Sequence, residues 1–218
     1  MTGPSGGQPA TGTTVPPDEA LARLLDGNAR YISEHPTSVH CQTAAQRQEA
    51  EAGQTPFAVV LACADSRVPP ELVFDQGFGD LFVIRTVGHA VTPVVTGSVE
   101  YAVTELGVSL VLILGHSGCG AVQATLNEMA SPSESLSAGL AAVVDCVRPG
   151  LEPLMARGDV TGDALVAAAV RANVAGALAR LREASPTVTG PEGEGRLRLV
   201  GAEYDIGSGR VTVLEDSG

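Results

Sequence analysis

Cys63, Asp65 and Arg67 stand together in one short segment, and His116 and Cys119 stand together in a second one further along the chain. Thiolates and imidazoles are soft to borderline donors, so Cys63, His116 and Cys119 read as three ligands to one metal ion. Three protein ligands with a fourth position open is the pattern of a catalytic zinc site; structural zinc sites close all four. Two thiolates and a neutral imidazole leave the ion little net charge. A water in the fourth position must lose a proton near neutral pH to act as a nucleophile, and metal binding brings its pKa to about 7. Asp65 is suited to accept a hydrogen bond from that water and orient it. Arg67 is suited to clamp the carboxylate through two parallel N–H donors and keep it off the metal. Alternation along Cys63-Ala-Asp-Ser-Arg67 puts all three functional side chains on one side if the segment stays extended. An ordinary Asp–Arg ion pair ending a strand is the plainer reading of the dyad, and the neighbouring ligand motifs outweigh it.

Each segment needs a rigid element to deliver it, and each follows one. Phe57-Ala-Val-Val-Leu-Ala62 precedes the first, and Leu110-Val-Leu-Ile-Leu114 precedes the second. Both runs are apolar on both faces, as strands buried inside a parallel sheet are. Two parallel strands present their following loops at one end, where open α/β sheets hold their ligands. Leu81–Arg85 reads as a further strand, and Arg196–Asp205 and Arg210–Leu214 as two final strands around Gly207-Ser208-Gly209. Helices are expected over Asp18–Ser33, with Leu21, Leu24, Leu25 and Ala29 inward, over Thr43–Ala52, after Pro69-Pro70, over Val95–Leu106, from about Gly120, and over Thr161–Glu183. Ala141–Val147 reads as a short helix stopped by Pro149-Gly150, and Ser185–Gly195 as a Pro/Gly loop. The fold class is therefore α/β, a mainly parallel central sheet flanked by helices.

Apolar residues make up 44% of the 218, enough for one domain with a sizeable core, which aliphatic side chains must fill because Trp is absent. The net charge of −12 argues against nucleic acid or an anionic membrane as partner, since both call for a basic surface. No run of apolar residues is long enough for a membrane span. Residues 1–16, rich in Gly, Thr and Pro, read as a disordered leader without the features of a signal peptide, which leaves residues 17–218 as a single catalytic zinc-binding α/β domain and a cytoplasmic location as the expectation. Paired Cys and His spacings in such a compartment favour metal over disulfides; Cys41 and Cys146 read as buried, inert thiols.

Cys-x-Asp-x-Arg followed by His-x-x-Cys-Gly resembles the β class of carbonic anhydrases. Phe74-Asp75-Gln76, Gly79-Asp-Leu-Phe-Val-Ile-Arg85, Ser98-Val-Glu-Tyr-Ala-Val103 and Gly115-His-Ser-Gly-Cys-Gly-Ala-Val122 are similar to that family's motifs in the same order, over about Leu21 to Leu214. The resemblance implies a Zn2+ enzyme, a carbonate dehydratase that interconverts carbon dioxide and bicarbonate, in a β-carbonic anhydrase-like fold with an extending amino-terminal helix. It implies a homodimer or homotetramer, and Ala20–Asn28 matches a helix that packs against a partner subunit in relatives. The pKa of about 7 used above belongs to a three-histidine carbonic anhydrase and is borrowed from it.

By the same resemblance Gln54 matches a substrate-binding glutamine, Phe82 and Val87 match apolar pocket positions, and Tyr101 matches a pocket tyrosine from the neighbouring subunit. Without the family, Phe82, Val87 and Tyr101 read as core and Gln54 as a solvated turn. The family's Asp–Arg pair gates the metal, open when paired and closed when the aspartate coordinates; lacking the tryptophan of relatives with a second bicarbonate site, this chain is expected to be of the open type. Thr86 and His89 stand where the family often has Asn, and His89 is either a loop-stabilising or surface residue or a proton relay. Alternatives that keep the same ligands are a hydrolase of carbon disulfide or carbonyl sulfide and a non-catalytic zinc-binding bicarbonate sensor. Redox use of the cysteines lacks a Cys-x-x-Cys.

Overall fold

The strand before the first motif, β1 (Ala58–Cys63), has every side chain buried. β3 (Leu110–His116), before the second, is buried along its whole length too. They pair in parallel at the middle of a five-stranded sheet of order β2-β1-β3-β4-β5, with β2 at Leu81–Thr86, β4 at Arg198–Tyr204 and β5 at Val211–Leu214. Only β5 runs antiparallel to its neighbour. The computed structural model describes residues 14–37, 43–51, 53–133 and 135–214.

Alternate side chains of these strands feed two cores. Ala58, Val60, Ala62, Leu110, Leu112 and Leu114 face α1 (Pro17–Ile32) and α3 (Pro70–Val73). Val59, Leu61, Val111 and Ile113 face α4 (Pro93–Thr104) and α7 (Gly162–Ala184). A third cluster, built from α5 (Gly120–Ala130), α6 (Ala138–Arg157) and α7, takes in Cys63 and Cys119. The sheet thus delivers the two motif segments and three helices roof them. α7 is apolar and 23 residues long, but its apolar side is spent on the sheet. The short polar α2 (Ala44–Glu51) precedes β1.

Several expectations shift. α1 buries Ala20, Leu21, Leu24, Gly27 and Asn28, whereas Ala29 is exposed. Gly27 sits where an added Cβ would fall on the Phe74 carbonyl, and Asn28 binds the carbonyls of Val73 and Gly209 and the amide of Val211. The inner face is thus set by a backbone contact and a polar anchor, neither of which hydrophobic spacing reports. Pro149-Gly150 does not stop a helix: α6 runs through it to Gly158, a left-handed terminator. Pro149 and Pro153 lie on the exposed side, while Val144, Val147, Leu151 and Leu154 form a buried stripe across them. Gly150 is the crossing point with α7, since a Cβ there would lie 3.0 Å from the Ala172 carbonyl oxygen. Packing along that stripe outweighs the lost donors. The Ser185–Gly195 loop is instead largely a helix, α8 (Pro186–Gly193), with proline in its first turn, Val188 buried, and a two-pronged Arg182–Glu192 pair tying it to α7. Most of the expected leader, like Cys41 and His40, falls outside the described residues. Its last residues are described, and Val15 packs on the α1 side of the core, its carbonyl accepting from Ser109 Oγ.

Candidate metal centre

Cys63 ends β1 opposite Thr86 of β2. His116 ends β3 opposite Tyr204 of β4, and Cys119 is the N-cap residue of α5. The ligating atoms of Cys63, His116 and Cys119 all lie within 4.8 Å of one another, and all three residues are buried. The histidine is oriented by its other nitrogen: Nδ1 lies 3.0 Å from the Ser117 carbonyl, which can only accept, so Nδ1 carries the proton and Nε2 keeps its lone pair. That Nε2 is buried without a hydrogen-bond partner among the described residues. Ser117 is itself fixed, its amide donating to the Tyr204 carbonyl and its Oγ accepting from the Ile206 amide.

The thiols are asymmetric. The Cys63 thiol is pulled toward its charged form, first by a hydrogen bond from Cys119, then by His116 and by the Asp65 and Gly88 amides, against the opposing effect of burial. Cys119 is pushed up by donating to Cys63 and by burial. Two sulfurs and an imidazole nitrogen with no hydrogen-bond partner among the described residues thus converge on one point. A divalent cation answers all three at once, displacing the proton and taking the lone pair, and the donor set suits zinc. The amides at the start of α5 favour negative charge on Cys119.

After Cys63 the chain does not stay extended. The Ala64 amide still bonds the Thr86 carbonyl, and the chain then turns, with the Val68 amide on the Asp65 carbonyl. The Asp65–Arg67 pair is therefore made within a turn and not by strand alternation. Arg67 donates from its amide (2.9 Å) and Nε (3.0 Å) to Oδ1 and from Nη2 (2.8 Å) to Oδ2. These bonds hold the Asp65 carboxyl well below the usual carboxylate range. Arg85 of β2 pins the backbone of the same turn, Nε on the Cys63 carbonyl (3.1 Å) and Nη2 on the Asp65 carbonyl (2.5 Å).

A family model described as carbonic anhydrase matches residues 58–211. Carbonic anhydrase 2 of Mycobacterium tuberculosis is 39% identical over 208 residues, covering 93% of this chain and 95% of that protein. The chain belongs to the β-class carbonic anhydrases. A carbonic anhydrase of Mycolicibacterium smegmatis is 38% identical over 202 residues, covering 93% of this chain and 95% of its own length. The β-carbonic anhydrase CafA of Aspergillus fumigatus superposes with a TM-score of 0.71 at 26% identity, over 92% of this chain and 91% of that one. This family membership makes the protein a zinc lyase that hydrates carbon dioxide reversibly, and nothing among these relatives favours the sulfur-substrate or sensor alternatives.

Within this one carbonic anhydrase chain, Cys63, His116, Cys119, Asp65 and Arg67 converge, and Val87 lies beside them, half exposed and one residue past Thr86. Gln54, Phe82 and Tyr101 lie apart. Phe82 pairs with Val59, four residues before Cys63, or about 13 Å along the strand. Its ring tilts against that of Tyr101, centroids 6.3 Å apart. Gln54 precedes β1, a strand about 20 Å long, and opens on a separate cavity of about 390 Å³ with Gln46, Phe78 and Asp80. His89 is no surface residue. It is 1% exposed, and burial pushes its imidazole pKa down to about 4. Cys146 is half-buried, its Sγ 4.0 Å from the Val91 carbonyl oxygen. Sequence reasoning missed Arg85, Gly88 and Asn173. Arg85 carries a faint signal, a charge closing an apolar strand; Asn173 carries another, the one polar residue among the buried positions of α7.

Proposed function

We propose that this carbonic anhydrase works with its site open, Arg67 holding Asp65 away from the position the reacting water takes. The fork from Arg67 onto Asp65 carries this reading. Cys63, His116 and Cys119 would hold a zinc ion, which when bound would act as a Lewis acid bringing the pKa of water to about 7, the value borrowed from the three-histidine enzymes. Asp65 supplies orientation. Oδ1 already accepts two hydrogen bonds and Oδ2 one, so a lone-pair position on Oδ2 remains for the proton of the attacking water. With that hydrogen bond made, the oxygen's own lone pair turns toward the carbon of carbon dioxide. One C–O bond forms as one C=O π bond of carbon dioxide opens onto its oxygen, the water gives up one proton that passes to solvent buffer, and bicarbonate leaves. Asp65 does not store that proton, because its pKa lies far below neutrality. Val87 offers the apolar substrate an apolar contact beside the site.

A homo-oligomer belongs to the same reading. Phe78, Val87, Val94 and Tyr101 are large, apolar and at least about half exposed, and the edge strand β2 is only partly covered. A second copy over this region would cover them and supply Gln54, Phe82 or Tyr101 across the interface, which one chain cannot. The deciding experiment is stopped-flow carbon dioxide hydration from about pH 6.5 to about pH 9, with zinc content and molar mass measured on the same sample. One zinc per chain with neutral-pH activity supports the open site. Activity confined to alkaline pH would mean that Asp65 closes it.

A further inference from the structure

Seven residues of α7 are buried, and Asn173 is the one polar side chain among them. A buried amide is costly unless its donors are used. Asn173, 4% exposed, donates from Nδ2 to the Gly88 carbonyl (3.1 Å) and to Nε2 of His89 (2.9 Å). Both partners belong to the short 3-10 turn Val87–His89, and both have left-handed backbone, φ 65° at Gly88 and 44° at His89. Such a conformation in a non-glycine residue persists only where its surroundings hold it. The turn has little room to move, since a Cβ on Gly88 would stand 2.9 Å from that of Ala121. In this shape the Gly88 amide points at Cys63 Sγ, 3.4 Å away.

We infer that Asn173 is a positioning residue of the metal centre, latching the Val87–His89 turn so that the Gly88 N–H is delivered to the sulfur of Cys63. The inference rests on Cys63 being a metal ligand. An N–H donor to a ligating sulfur draws charge from it and fixes the direction of its lone pair, and loss of such outer partners typically costs about 10- to 100-fold in metal affinity. It also gives His89 a role other than proton transfer: its Nε2 is the acceptor that completes the latch.

The test uses the full chain loaded with cobalt(II) or zinc. In Asn173→Ala the sulfur-to-cobalt charge-transfer band should move to lower energy, and zinc affinity measured by chelator competition should fall about 10- to 100-fold. Leu178→Ala, on the same helix and buried against the sheet, should lower the melting temperature while leaving band and affinity in place. His89→Asn keeps a residue type that tolerates left-handed backbone and removes the imidazole acceptor. It should shift the band in the same direction by less, and it decides the matter if Asn173→Ala does not fold. A band unmoved in the folded latch variants, or moved equally in Leu178→Ala, would overturn the latch alone. A wild type that takes up no cobalt would overturn the ligand assignment and the latch with it.

Discussion

Replacing Asp65 by Asn tests the mechanism at its narrowest point, because size and shape are kept while one acceptor oxygen becomes a donor. The carboxylate accepts three hydrogen bonds from Arg67, two at Oδ1 and one at Oδ2. An asparagine has one oxygen and satisfies the larger set by placing it at the Oδ1 position. Its NH2 then faces the Arg67 Nη2 donor and presents hydrogens where the free lone pair of Oδ2 had been. The attacking water loses its acceptor and meets a donor, so its lone pair turns away from the carbon. Removing an oriented outer-shell carboxylate costs about 10- to 100-fold, which corresponds to about 1.4 to 2.7 kcal/mol of activation free energy. The fall should appear in kcat/KM for hydration at neutral pH by stopped-flow indicator, with zinc content equal to the wild type's because Asp65 is not a ligand in the open site. Undiminished kcat/KM at full zinc would remove Asp65 from the mechanism. Loss of zinc alongside activity would show that Asp65 coordinates the metal and that the open-site reading is wrong.

Three further outcomes are expected. His116→Ala removes the only nitrogen ligand and should lose zinc and activity together; a variant holding one zinc per chain would refute the ligand set. His89 is buried neutral with its pKa lowered to about 4 from 6.5, so the unfolded chain binds its proton first as pH falls. Its contribution to stability is full above about pH 6.5 and declines by about 3 kcal/mol down to about pH 4. Urea unfolding at a series of pH values should show a slope in that window that His89→Asn lacks. Gly150→Val puts a branched side chain where even a Cβ would lie 3.0 Å from the Ala172 carbonyl oxygen and 3.4 Å from Cα of Gly176; overpacking the α6–α7 crossing should cost about 1 to 3 kcal/mol, and unchanged denaturant stability would refute the close approach.

The ligands and the sheet are legible in the sequence for one reason. A strand buried on both faces leaves a continuous apolar run, and the residues just beyond β1 and β3 are the ones a parallel sheet presents at its active end. Cys63, His116 and Cys119 need no further information, since residue type, spacing and strand ends agree. What fails to show is whatever depends on backbone approach or on one polar contact. Pro149-Gly150 looks like a terminator because local propensity cannot see that α7 passes within reach of Gly150. α8 looks like a loop because six of its eight residues are Pro, Gly or Thr, and its stability comes from Val188 and the Arg182–Glu192 pair. The Asp65–Arg67 pair is found by type but not by geometry. Alternation asks for a strand, whereas the Asp65 carboxylate binds the Arg67 amide and helps turn the chain.

The same division explains how this site is held. The three ligands come from two strand ends and a helix N-cap, positions the sheet fixes by itself. The groups that tune them are held by residues distant in sequence: Asn173 through the Val87–His89 turn, Arg85 through the Cys63 and Asp65 carbonyls. Arg85 ties the turn carrying Asp65 to β2, so the carboxylate reaches Arg67 on a backbone held by two charge-assisted bonds. On that argument the proposed open site would depend on the sheet edge as much as on the Asp65–Arg67 pair.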